Sequence, residues 1–104
     1  MPVQTKAQVL SRLQGSKDEL QRLGVSRCGL FGSFVHDADI HDQSDVDLLI
    51  TFEISQKTFD NFMNLSFFLE ELLGRTIDLV TIESLSPHIG LHILREVEYV
   101  SLNS

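Results

Sequence analysis

The chain has a single cysteine, two prolines and no tryptophan, and its basic residues are outnumbered by acidic ones, eight against fifteen. A lone cysteine, Cys28, rules out an internal disulfide framework and suits a reducing cytoplasm; it reads as a small buried hydrophobe in a strand. No apolar run approaches the ~20 residues of a membrane span. The start, MPVQTKAQVL, has neither the basic region nor the apolar stretch of a secretory leader, so a cytoplasmic protein with no membrane partner is expected. Net charge −7 argues against direct nucleic-acid binding, which draws its affinity from Lys and Arg displacing counterions. An acidic chain can still take a nucleoside triphosphate when metal ions bridge its carboxylates to the phosphates, and it can attract a basic protein partner. Repeats, linkers and low-complexity tracts are lacking too. What remains is a chain of 104 residues, 42% apolar and 22% charged, which predicts one domain over 1–104 with a modest core.

Apolar spacing predicts helix over the first 23 residues, at Val3, Ala7, Leu10, Leu13, Leu20 and Leu23. Two capping boxes, Thr5 with Gln8 and Ser16 with Glu19, divide it into two short helices, and Gly24 ends the second. VSRCGLF, Val25 to Phe31, reads as a strand. A polar stretch from Val35 to Ser44 predicts a helical turn and a loop. DVDLLITF, Asp45 to Phe52, is too apolar beyond Asp47 to face water on either side, so it reads as a central strand. Thr58 caps a predicted helix from Phe59 to Leu73 whose stripe of Phe62, Leu65, Leu69 and Leu72 is core, with Gly74 as its stop. RTIDLVT, Arg75 to Thr81, is a third strand, and Ser86-Pro87 starts a helix running to about Val97. Helices alternating with strands predict an α/β arrangement about one central sheet.

Chemistry concentrates in GLFGSFVHDADIHDQSDVDLLITF. Residues two apart in a strand share a face at ~3.3 Å rise each, which brings Asp45 and Asp47 to about 6–7 Å on one side. Like charges so placed repel unless a cation or proton relieves them, and Mg2+, which prefers carboxylate oxygens and binds phosphates, is the simplest relief. Asp78 lies between Ile77 and Leu79, where an unpaired carboxylate costs stability. If its strand neighbours that of Asp45, one sheet face gathers three carboxylates. Two metal ions held by Asp45, Asp47 and Asp78 would suit phosphoryl or nucleotidyl transfer, with Asp78 nearest the attacking hydroxyl. Gly32 would let a phosphate approach the backbone, and the Ser33 hydroxyl and nearby amides would bond it. A helix opening at Phe34 would add partial positive charge. Each motif has a plainer reading: Gly-Ser is a common turn, and aspartate at a strand start is often an Asx turn. His88 and His92, spaced i, i+4, would share a helix face, a weak zinc pattern against the plainer reading of solvent-facing histidines. Tyr99 reads as packing near the C-terminus.

GLFGSF, SDVDLLITF, IDLVT and LSPHIGLHILREVEYV together resemble the minimal nucleotidyltransferases of the DNA polymerase β-like superfamily. The resemblance implies an α+β (mixed α/β) fold with a small mixed sheet flanked by helices, ATP and Mg2+ as ligands, and transfer of a nucleoside monophosphate. It places Gly32, Ser33, His36 and Ser44 at the nucleotide, and Asp45, Asp47 and Asp78 at the metals. Many members are antitoxins paired with a HEPN-domain RNase toxin, and some adenylylate it. Two departures stand out. Eleven residues separate Ser33 from Asp45, one more than usual, and His36 stands where the family commonly has arginine. Arginine is always charged and binds phosphate with two parallel bonds, whereas histidine is partly neutral.

The expected function is therefore a Mg2+-dependent nucleotidyltransferase, a protein adenylyltransferase acting on a HEPN toxin as its antitoxin. The alternative is a non-catalytic antitoxin that neutralises its partner by complex formation, alone or as an oligomer.

Overall fold

Alternation along the second strand decides the architecture. In the computed structural model, which describes residues 1–37 and 40–102, strand β1 (Val25–Phe31) lies antiparallel to β2 (Val46–Phe52), and β2 lies parallel to β3 (Ile77–Thr81). A short β4 (Glu98–Val100) pairs antiparallel with the other edge of β1, so the order is β3-β2-β1-β4. Val46, Leu48, Ile50 and Phe52 point to one side of β2, where the main core gathers. Asp47, Leu49 and Thr51 point to the other, because successive side chains in a strand alternate. The sheet is mixed and flanked by helices, as the fold class anticipates.

Helices α1 (Lys6–Gly15), α2 (Lys17–Arg22) and α4 (Phe59–Leu73) cover the first face, contributing Val9, Leu13, Leu20, Leu65, Leu69 and Leu73 to its core. A parallel β2–β3 pair requires a crossover, and α4 supplies it. Its start is fixed by the Thr58 hydroxyl, which accepts from the Asn61 amide at 3.1 Å, and its end by Gly74 in the left-handed region at φ 71°. The opposite face carries a smaller cluster, Phe31, Leu49 and Ile93 with Val80, Leu85 and Val97. Only helix α5 (Pro87–Glu96), capped by Ser86, lies over it among the described elements contributing to that cluster. Between β1 and β2 a single helical turn, α3 (Ser33–His36), drops Phe34 into the main core.

Several boundaries and contacts differ from the sequence reading. Val9 rather than Ala7 faces the core from α1, and Ala7 is exposed; the small methyl of Ala7 marks no face of its own. Ser16 makes no side-chain cap, since its backbone is not extended (φ −113°, ψ 20°), and Glu19 instead pairs with Arg22 at 2.7 Å. Helix α3 begins at Ser33, one residue before Phe34 and ahead of the polar stretch. Ala38 and Asp39 of that stretch lie outside the described residues. Strand β3 starts at Ile77 because Arg75 turns aside to bond carbonyls of other segments. Cys28 is buried in β1, and burial pushes its thiol up to about 12. Tyr99 packs under the Arg27 guanidinium, 3.8 Å from the ring centroid. No helix of the described residues is long and apolar enough to cross a membrane.

Candidate active site

Register, more than sequence spacing, makes the site. Asp47 on β2 is directly opposite Asp78 on the parallel β3, and both occupy the face away from the main core. The two carboxyls are close enough to share a hydrogen bond. Asp47 is pushed up to about 6, first by burial, then by the charge of Asp78 and the bond to it, with smaller contributions from Asp45 and Glu96. Opposed like charges half out of water favour keeping a proton. Asp45 stands one residue before β2 and is exposed; among the described residues no three His, Cys, Asp or Glu side chains already converge as a metal cluster. His88 and His92 are both exposed on α5.

The Gly-Ser turn meets this pair from β1. Phe31 is the register partner of Asp47, so the next residue, Gly32, passes beside the Asp47 carboxylate. A β-carbon at Gly32 would fall on that carboxylate, and its backbone (φ 76°, ψ −152°) belongs to a region essentially reserved for glycine. Gly32 thus makes room for an acid of the protein itself. Ser33 is exposed. His36 directs Nε2 to Glu96 Oε2 at 2.8 Å, and the Gly32 amide donates to Glu96 Oε1 at 3.1 Å. Burial works against the charge on Glu96, but these bonds outweigh it and hold the carboxyl below its ordinary value.

Ser44 is turned inward: its hydroxyl accepts from the His41 amide at 2.9 Å, closing the loop that leads to Asp45. Arg75 fixes the same loop. Its guanidinium donates to the carbonyls of His41 at 2.8 Å and Ser44 at 3.1 Å, and through Nε to Val3 at 2.6 Å, while lying 5.1 Å from the Phe34 ring centre. The end of the loop, from His41 to Ser44, is thereby tied down. A polar cavity of about 320 Å3 opens beside it, lined by Gln4, Ser44, Asp45, Arg75 and Thr76 among others. It reaches Asp45 but not Asp47 or Asp78.

Sequence reasoning missed Glu96 and Arg75. Glu96 meets the turn across 64 residues, and nothing in REVEY distinguishes an acid that folds inward from one in solvent. Arg75 carried a faint signal, a basic residue just past the helix-ending Gly74, where it can reach carbonyls near the strand start.

The mixed sheet thus carries an aspartate pair near the start of its two parallel strands, beside a Gly-Ser turn. Residues 13–100 match the family model described as "Nucleotidyltransferase domain". The chain belongs to this family, and it is a nucleotidyltransferase. It is 41% identical over 101 residues to the protein adenylyltransferase MntA of Thermococcus cleftensis, covering 96% of this chain and all of that one. A solved structure provisionally described as a minimal nucleotidyltransferase superposes with a TM-score of 0.71 at 31% identity, covering 86% of this chain and 93% of that one. A toxin–antitoxin solved with AMP-PNP shares the fold, with a TM-score of 0.61 at 19% identity over 80% of this chain and 70% of that one.

Proposed function

We propose that the protein is a cytoplasmic, Mg2+-dependent adenylyltransferase that transfers AMP from ATP to a HEPN-domain RNase toxin and so acts as its antitoxin. The observation that carries this reading is the Asp47–Asp78 pair lying against the Gly-Ser turn. Its donors are all hard carboxylate oxygens, placed opposite one another by the register of β2 and β3, and the charge of Asp78, which adds to burial in raising Asp47, is what a divalent cation would offset, so the residues fit Mg2+. Asp47 and Asp78, with Asp45 from the loop, would hold the metal, and the Gly32–Ser33 turn would meet the phosphates through the exposed Ser33, since the Gly32 amide is engaged by Glu96. Bound Mg2+ supplies neutralisation of phosphate charge.

The rest falls to this chain's residues, since such transfers depend on positioning rather than covalent help. The turn orients the α-phosphate. The acceptor hydroxyl oxygen bonds to that phosphorus, the bond to the bridging oxygen breaks, and pyrophosphate leaves with the electron pair. Asp78 takes the hydroxyl proton. A protein acceptor is supported by the 41% identity to a protein adenylyltransferase. Exposed Ile89, Leu91 and Leu94 on α5 also leave apolar surface on the helix that reaches the turn. The test is transfer of label from [α-32P]ATP to the purified partner. Label on the partner that disappears with Asp47→Asn or Asp78→Asn supports the reading. Toxin neutralisation that persists in those variants without labelling would establish the non-catalytic alternative instead.

A further inference from the structure

We infer that Glu96 is a positioning residue for this transfer: from the end of α5 its carboxylate locks the Gly-Ser turn in register with Asp47. The inference rests on the assignment of phosphates to the Gly32–Ser33 turn made above. Glycine is the residue least able to choose its own conformation, and α3, which Gly32 precedes, has no side-chain cap at its start. The turn therefore needs an outside bond to select one backbone state. Glu96 provides it, with Oε1 accepting from the Gly32 amide at 3.1 Å.

The clamp has a firm base. Ile93, one turn earlier on α5, and Val97, the next residue after Glu96, both belong to the cluster with Phe31 and Leu49. Phe31 immediately precedes Gly32, and Leu49 lies two residues beyond Asp47 on the same face of β2. The second carboxylate oxygen is braced by His36 at 2.8 Å, and the Glu96 side chain is only 16% exposed. One carboxylate thus ties the backbone of the turn, the end of α3 and the end of α5 together, while the other side of Gly32 rests on Asp47. Without the clamp the turn samples other glycine conformations, and the phosphates lose their alignment with the acid pair.

Misplacement of about 1 Å is enough to cost on the order of a hundredfold in rate. In steady-state transfer from labelled ATP with saturating Mg2+, Glu96→Ala is expected to raise KM for ATP about tenfold and lower kcat about tenfold. KM for the protein acceptor should stay unchanged. Glu96→Gln keeps an oxygen for the Gly32 amide and should stay within about threefold of the parent in both constants. If the alanine variant does not fold, Glu96→Asp, one methylene short of the amide, is expected to show the same rise in KM. A general loss of folded protein would lower kcat alone. That result, an unchanged KM for ATP, or a glutamine variant as impaired as alanine overturns the role of Glu96. Wild-type protein that labels no acceptor overturns the proposed function itself, so the two failures are separable.

Discussion

The two faces of the sheet are made from the same strands and are treated in opposite ways. On one, Val46, Leu48 and Ile50 are fully buried under three helices. On the other, Leu49 is covered by a cluster built around α5, and the adjoining positions of β2 and β3 carry acids. The first face gains stability from every residue, at about 1.5–3 kcal/mol for each large aliphatic side chain removed from water. The second gives some of it up to keep two carboxylates opposed. The proposed site occupies the face that packing leaves incomplete.

The contrast breaks most sharply at Leu48. Leu48→Ala should cost about 2–5 kcal/mol, since a fully buried leucine leaves a cavity behind, and denaturant melts would show it as a lower midpoint. Gly32→Ala tests the boundary between faces. The positive φ disfavours any side chain by about 1–3 kcal/mol, and the added carbon displaces Asp47, so transfer should be lost along with that stability. A variant that keeps full labelling would contradict the contact described.

Asp47→Asn sharpens the comparison by moving stability and activity in opposite directions. A carboxyl whose folded pKa is raised from 3.8 to about 6 contributes stability that is complete below pH 4 and lost as pH rises through 6. By linkage that rise corresponds to about 3 kcal/mol, and solvent screening of a half-exposed group reduces this to about 1 kcal/mol. The asparagine variant should therefore match the parent at pH 4 and exceed it by about 1 kcal/mol at pH 7, while losing transfer. Thermal melts at the two pH values, with and without Mg2+, check both the sign and the cation's effect. A smaller change is expected from His36→Arg. A guanidinium can meet Glu96 with two parallel bonds, and the exposed position limits the gain to a few tenths of a kcal/mol.

Much of the fold is legible in the sequence. Helix α4 begins and ends where Thr58 and Gly74 say, because capping is local chemistry. The strand of Asp47 is internal, as its unbroken apolar run required. The start of β3 differs because it depends on what other segments offer, whereas Ser16 and Ala7 differ for local reasons. Ser16 lost its capping role to a tight joint between two helices, and Arg75 left its strand for the carbonyls of a loop. The family resemblance places His36 at the nucleotide, and the fold adds its contact with Glu96.

The sequence by itself determined where the long helix and the central strand lie, which side of β2 is apolar, and that Asp78, set between Ile77 and Leu79, is costly unless paired. Those properties follow from local propensity and periodicity. Tertiary structure alone decided that Asp47 faces Asp78 in a parallel register, that Gly32 yields its space to Asp47, and that Glu96 reaches back to hold the turn. Each is a contact between segments distant along the chain, and such contacts are fixed only when the whole core selects one packing.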